Sequence, residues 1–593
     1  MTVGTNTTAF VIGTPHPLPP PWDEVPVDLH VEEGAGLPAV AQLRFPDPDR
    51  ALLAATGIGI GTAVTIRVRP GEEPTAPALF SGEVVALEAE FDGQGSFTTV
   101  RALDLSHRLR RGRHIAGFPG RKASEIAADL AGRAGIPLGR IDETATVYPL
   151  RTQPNVSDWE FLGALAEEND REAGVADGRF FFRSPEPAAS APGPSTAAAQ
   201  SPYVIEMGEN VLSIRSSVTS VNQVGAVRVR GWDVQQKKGL LSERTVRAGA
   251  GPLLGLDSPK VVAPFPAAHL LVTDVPYRTD AEVQAVSAAL AAQLAAAVAE
   301  LEITVLGNPR LRIGTPISLI GAGAPFDGKY TVTASRHSDR PGLGYETWVT
   351  VSGRQDRTSH GLAAGACAPA RSARVPGVAI GVVTDIQAPE ECAGQGWVRL
   401  SFPWLSEAAG QEPGYVSDWV RTVQLGGAGG GGVFSPEVHD EVLVAFEQGL
   451  LERPVVIGGL YNGVDAPTPD DSLELVDKST GKLNRRSFAS RGGHRIELLD
   501  AAAGPAGVRL RTHEDRLSIH LDQQETVITV HSDGKVTVTA AEEVTVSGKG
   551  ITLDAGAGAL TLTGESVTVS GSSGISLDGG PECTIKGGLV KIN

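Results

Sequence analysis

The chain has 593 residues and carries 51 Lys and Arg against 69 Asp and Glu, a net charge of −18. Nucleic acid and anionic membranes would both repel such a surface, which argues against either as a partner. Cys367, Cys392 and Cys583 are too few and too scattered for a disulfide framework, and with no CxxC pair among them they offer no thiolate zinc site.

The N-terminus lacks a basic segment followed by an apolar core, and no run of about 18 apolar residues occurs. The expectation is a protein made in the cytoplasm, without stable membrane insertion, that other machinery carries outward. Hydrophobic residues make up 41% and aromatics only 5%, with 71 Gly and 41 Pro. That balance predicts a mainly β chain of short strands and tight turns.

In chain order, the Pro-rich stretch 15–26 reads as an extended lead-in. Strands are predicted at Ala63–Val68, at Gly82–Ala89 and, after the turn Asp92–Gly93, at Phe97–Leu103. A helix over Ala123–Ala134 sets Ile126 and Leu130 four apart and stops at Gly135. Ser157 and Glu160 form a capping box that opens a second helix, with Trp159, Leu162 and Ala166 on one stripe. Thr279 and Glu282 repeat the box ahead of the longest helix. Its stripe runs Val283, Val286, Leu290, Leu294, Val298, Leu301 and packs on a sheet or on a partner subunit. Residues 184–202, rich in Pro, Ala and Ser, read as a solvated loop with too little apolar surface to fold.

From Gly377 the texture changes. Five strand segments, Val378–Asp385, Trp397–Phe402, Trp419–Gln424, Glu441–Phe446 and Pro454–Tyr461, fit a small barrel such as an OB-fold. A polar linker over 464–490 follows. The last hundred residues carry alternating apolar triplets starting at Leu517, Val527, Val536, Val544, Ile551, Leu560, Val567, Ile575, Cys583 and Val590. Glycine or a small polar residue separates many of them, as at Gly534, Gly548, Gly564 and Gly587. Strands this short bury too little alone. They are satisfied by wrapping around one axis, either as a prism of three chains or as a single-chain solenoid. The prism is the favoured reading.

Residues 377–463 resemble the OB domain of VgrG proteins and of spikes from contractile phages and extracellular injection systems. The likeness rests on Trp397-Val-Arg399-Leu-Ser-Phe402-Pro403-Trp404, Trp419-Val-Arg421, Asp440-Glu441-Val-Leu-Val-Ala-Phe446, Arg453-Pro454 and Tyr461-Asn462. Gln153-Pro-Asn155, Ser157–Leu162 and Gly231-Trp232-Asp233 look like the hub of the same family. The ending Gly587-Gly588-Leu-Val590-Lys-Ile592-Asn593 looks like its needle terminus. His439 departs from the pattern, standing where a Gly commonly precedes Asp-Glu-Val, and Gly449-Leu450-Leu451 replaces a more acidic turn.

The resemblance implies a homotrimer: a hub of paired β-barrels (1–375), an OB collar (376–463) and a triple-stranded β-helix needle (491–593). It further implies an inner tube and baseplate proteins at the hub, and a PAAR-type tip protein on Gly587, Gly588, Val590, Ile592 and Asn593. Effector cargo is a further partner it implies, and no effector domain fused at the C-terminus is expected.

No cofactor, metal or catalytic residue is expected. Trp397, Trp404 and Trp419 would suit oligonucleotide stacking, but 377–463 holds three Arg, no Lys and eleven Asp or Glu, a local −8. Gly426–Gly432 lacks the Gly-Lys-Ser/Thr of a phosphate loop and reads as a flexible barrel loop. The segment 464–490 is too short for a lysozyme cleft with its two carboxylates. His494, His513, His520 and His531 would ring an axial ion only if they faced the needle axis. A spike with an added cell-wall-degrading activity and an adhesin-like stalk stand as the alternatives to a structural spike.

Overall fold

Period-two alternation, which turns every second side chain to the same side of a strand, sets the architecture. In the computed structural model, residues 1–8, 15, 24, 26, 70–77, 94, 222, 248–251, 353–373, 406–414, 471–472 and 593 are not described; all others are. Cys367 and Asn593 fall outside the described residues. The chain divides into two units, Met1–Asp465 and Ala466–Asn593.

The first unit begins with β1 Ala9–Gly13, β2 Asp28–Gly34, β3 Val40–Pro46, β4 Ala63–Arg69, β5 Ala78–Asp92 and β6 Gly95–Leu103. There follow β7 His114–Lys122, β8 Val147–Val156, β9 Val211–Val218, β10 Ala226–Asp233, β11 Lys238–Thr245 and β12 His269–Tyr277. β13 Ala299–Leu306, β14 Ala334–Arg340 and β15 Gly344–Val351 follow. Ten of these strands form one antiparallel sheet, ordered β1-β4-β5-β6-β3-β2-β14-β15-β13-β9. The two halves meet at a seam where Leu29 faces Asp339 and Gly34 faces Ala334. One core, with Val31, Leu43, Phe45, Ile66 and Phe80, underlies the first half. A second, with Leu301, Ile303, Val305 and Val349, underlies the other. At the seam the buried Glu33 accepts from Arg312 Nε at 3.0 Å.

The three predicted helices are present as α1 Ala123–Arg133, α2 Asp158–Glu168 and α3 Asp280–Ala296. In α2, Glu160 N donates to Ser157 Oγ at 3.2 Å and Ser157 N to Glu160 Oε2 at 2.8 Å. α3 lies on β10 and β11, packing Val283 and Val286 over Val227, Val229 and Leu240, so its stripe meets a sheet of its own chain. The predicted stripe overruns the helix. Val298 lies beyond Ala296, and Leu301 sits in β13, where period two buries it alongside Ile303.

Residues 184–202 also differ from expectation. Their backbone carbonyls act as acceptors: Lys329 Nζ donates to Ala189 O and Ala191 O, and Ser318 Oγ to Pro192 O. Ala188 and Ala191 are buried. A segment poor in apolar side chains is thus fixed through its main chain, a source of order that composition does not reveal.

His337 of β14 is buried, its Nδ1 2.8 Å from Tyr345 Oη. Burial, with Arg312 nearby, pushes its pKa down from 6.5 to about 3. Through that window the unfolded chain binds a proton that the folded chain refuses. The histidine's stabilising share is therefore complete above about pH 6.5 and is lost as pH falls toward 3. His337→Gln should flatten the acid side of the stability curve. Denaturation series between about pH 4 and 7 with equal slopes for both proteins would contradict this.

Candidate functional site

The barrel consists of β16 Val378–Asp385, β17 Arg399–Ser401, β18 Arg421–Thr422, β19 Glu441–Phe446 and β20 Pro454–Gly459, in the order β17-β16-β19-β20-β18. Each of the five predicted segments carries one strand. Two of them narrow to isolated bridges at their ends, Val398 to Val420 and Ser401 to Val416.

The residues of the OB motif take four kinds of place. Phe402 and Phe446 are buried in the core, with ring centroids 5.8 Å apart, and Pro454 pairs with Phe446. Trp397 and Trp419 are half-buried, and the Arg399 guanidinium sits over the Trp419 ring at 5.1 Å. Trp404 is exposed, but its Nε1 donates to Ile380 O at 3.0 Å, and Pro403 opens the turn beneath it. Asp440 Oδ2 accepts Glu437 N at 2.8 Å, and Glu441 Oε2 accepts Asn462 Nδ2 at 2.8 Å, while Tyr461 stays exposed.

The departures from the family pattern have local causes. His439 has φ of 76°, in the left-handed region where glycine is favoured. Leu450 and Leu451 are buried, which explains apolar residues in that turn. The glycine loop closes on itself: a Cβ on Gly426 would lie 2.5 Å from Gly430 O. Its glycines permit a backbone crossing, where the sequence suggested only flexibility.

Arg421 and Arg453, the remaining motif residues, belong to a joint between barrel and hub. Arg421 pairs with Glu447, which also meets Arg278 Nη2 at 3.0 Å. Arg453 Nη2 lies 3.2 Å from Glu282 Oε1, and the other oxygen of that carboxylate accepts Thr279 N at 3.0 Å as part of the cap of α3. Arg151 of β8 joins Glu168 of α2 at 2.6 Å to Glu452 of the barrel at 3.3 Å. Thr152 Oγ1 and Tyr415 Oη are 2.9 Å apart, and Ile115 and Leu150 pack on the barrel core. These elements enclose a cavity of about 100 Å³ lined by Tyr148, Arg151, Glu168, Tyr277, Glu282 and Arg453 among others.

Burial pushes Glu168 up and Tyr148 up to about 12. Burial works against the charge on Arg151, but the carboxylates of Glu168 and Glu452 hold its pKa above the ordinary guanidinium value. Sequence reasoning missed this joint, since its partners stand as far as 301 residues apart. The available signal was the run Glu452-Arg453 at the start of an apolar strand. Arg151→Ala would strand two carboxylates and should lower stability by about 3 kcal/mol. Chemical denaturation showing no loss would refute a stabilising role.

The second unit is a five-stranded antiparallel meander: β21 Arg485–Ala489, β22 Arg495–Asp500, β23 Ala506–Arg511, β24 Leu517–Asp522 and β25 Val527–Ser532. β21 lies within the stretch read as a linker, and β24 and β25 use the first two triplets as hairpin strands. One face is charged and covered. Glu497, with 0% exposure, meets Arg509 Nε at 2.9 Å and Arg511 Nε at 3.0 Å. The preceding segment straps across it, with Arg485 Nη2 donating to Thr468 O at 2.7 Å and Asp470 meeting Arg509 at 2.6 Å. The linker expectation fails here because the buried arginines need these acceptors.

The other face, with Phe488, Ile496, Leu498, Leu510, Ile519, Leu521 and Val530, is apolar and 39% to 58% exposed. Strand alternation puts His520 and His531 on the charged face, opposite that apolar surface. From Asp533 to Ile592 no strand forms within the chain and every residue is exposed. Gly587, Gly588, Val590 and Ile592 lie in this stretch.

The family described as the type VI secretion system/phage-baseplate injector OB domain matches residues 379–461. A family described as the Alg8 N-terminal domain matches residues 61–339. The type VI secretion spike protein VgrG4b of Pseudomonas aeruginosa is 35% identical over 122 residues, covering 20% of this chain and 14% of the relative. VgrG3 of Vibrio cholerae is 31% identical over 142 residues, covering 22% and 14%. A chain of the half-lidded Francisella PdpA–VgrG complex shares the fold with a TM-score of 0.55 at 9% identity, covering 89% of this chain and 88% of that one. The matched segments thus span about a seventh of the curated relatives' length. Residues 379–461 thus match the injector OB-domain family, and the chain is similar to VgrG spike proteins.

Proposed function

We propose that the chain is the structural central spike and hub of a contractile injection system and works as a homotrimer. The observation that carries this reading is the bare apolar face of the meander, continued by Asp533–Ile592. There the triplets at Val536, Val544, Ile551, Leu560, Val567 and Ile575 have no strand partner among the described residues. Exposed apolar surface on this scale marks an interaction site. A single-chain solenoid would bury those side chains and pair those backbones by itself. Three copies, each adding one strand per layer, supply both needs and leave no open edge.

On this reading the hub nucleates the inner tube within the baseplate. Sheath contraction drives the needle through the target envelope, and a PAAR-type tip caps it at Gly587, Gly588, Val590, Ile592 and Asn593. Particle delivery takes it outside the cell, with effector cargo as a further partner. The spike role of the relatives supports a non-enzymatic function.

Light scattering on the purified chain should give three times 61.6 kDa, and removing 491–593 should weaken the trimer without abolishing it. Val544→Asp with Val567→Asp should cost about 3 kcal/mol per site in needle assembly, read as lost protease resistance of 533–592. A stable wild-type monomer would sink the proposal. Clearing of peptidoglycan on a zymogram would favour the spike with added cell-wall activity.

A further inference from the structure

The Gly231-Trp232-Asp233 motif takes part in neither the joint nor the needle, and it lies in a surface unlike the rest of the chain. Between Ala226 and Arg247 there are six basic residues, Arg228, Arg230, Lys237, Lys238, Arg244 and Arg247, against Asp233 and Glu243. This +4 stretch stands in a chain of net −18. Alternation divides the β10–β11 hairpin into two faces. Val227, Val229 and Leu240 are buried beneath α3. Arg228, Arg230 and Trp232 take the outer face, beside Leu241 of β11 and Leu271 of β12. Trp232 is 48% exposed and Leu241 57%. Exposed tryptophan beside arginines is the composition of an interface centre, with the lysines suited to its charged rim.

The hairpin's position narrows the choice of partner. β12 runs parallel to β10 and sets Tyr277 opposite Gly231. A Cβ on Gly231 would lie 2.5 Å from Tyr277 O, so glycine is what admits this approach. Just before Tyr277 on β12, Thr273 O accepts Gln448 Nε2 of the barrel at 2.9 Å, and Asp274 O accepts Arg374 Nη2 at 3.2 Å. Trp232 and the turn leading to Lys237 and Lys238, both exposed, therefore lie at the barrel end of the hub. The barrel segment 377–463 carries −8.

We propose that the β10–β11 hairpin of one copy docks, through Trp232, Lys237 and Lys238, on the acidic OB barrel of a second copy. The inference rests on the homotrimer reading and names a contact within it. A head-to-tail contact of this kind joins two different patches and closes into a ring under threefold rotation. Opposite charge fixes which patches meet, and the buried aromatic supplies affinity. Nucleic acid or an anionic membrane would also attract the cations, but each would have to approach beside a barrel of −8.

The test uses the full chain. Trimers assembled from isotopically light and heavy copies are treated with a zero-length amine–carboxylate cross-linker. Inter-copy links from Lys237 or Lys238 to acidic residues of 377–463 are expected. Lys237→Glu with Lys238→Glu should abolish these links and raise the trimer's dissociation constant about tenfold. Trp232→Ala, which leaves the charges in place, should weaken the trimer while keeping its salt dependence. A wild-type trimer without such links, whose dissociation neither variant alters, overturns the inference and leaves the trimer reading intact. A wild-type monomer overturns both. Binding of anionic vesicles or nucleic acid that the lysine variant loses, with the trimer unchanged, also overturns it.

Discussion

A backbone N–H or C=O withdrawn from water must find a partner, and an apolar strand face must find cover. The first unit meets both demands largely within itself. Ten strands from distant parts of the chain share one ladder, and two cores cover its apolar side. The second unit meets them only in part. Its meander pairs five strands and covers the charged face with its own leading segment, yet leaves the apolar face open. Past Ser532 even the ladder stops. The homotrimer proposal grows from this contrast, since a chain able to solve the problem twice over in its hub has not done so in its last sixty or so residues.

Charge plays a different part in each unit. At the hub–barrel joint acids and bases are exchanged reciprocally. The barrel offers Glu447 and Glu452 to hub arginines, and Arg453 to a hub glutamate. Arginine suits such a joint because its planar fork fixes direction as well as charge. In the meander the pairing is concentrated, with Glu497 fully buried among arginines. Buried ion pairs add little net stability, but a broken one is severely penalised, so they punish alternative registers. A one-residue slip would turn those arginines onto the apolar face.

Local signals were legible in the sequence and distant ones were not. The capping boxes at Ser157 and Thr279 marked two helix starts because the box is a contact three residues long. Barrel strands such as Val378–Asp385 showed because alternation is intrinsic to the strand. The α3 stripe failed at Leu301, where an apolar residue at helical spacing belonged to the next strand's period. The seam at Glu33 and Arg312, the joint at Arg151 and the strap at Asp470 left no local trace. Each joins residues whose relation is fixed only after folding. His439 stood out in sequence as an odd residue, but its left-handed φ, which explains the preference for glycine there, is a property of the backbone.

The residues of the needle segment follow from what a narrow shared interior would permit. No Phe, Tyr or Trp occurs after Phe488. In a threefold prism the inward positions would be mostly Val, Ile and Leu, whose branched side chains suit pleated strands and fill a thin core without the bulk of an aromatic ring. Threonine or serine between them would then face outward, as in Val544-Thr545-Val546 and Val567-Thr568-Val569. Such a pattern keeps the outer surface wet at little charge, which matters where each copy already contributes −18. Three like-charged chains repel at long range, so apolar burial at the needle and opposite-charge contacts nearer the hub would have to outweigh that repulsion at short range. On the homotrimer proposal, the apolar triplets and the pairing of a basic hairpin with an acidic barrel would each supply an attraction that offsets it.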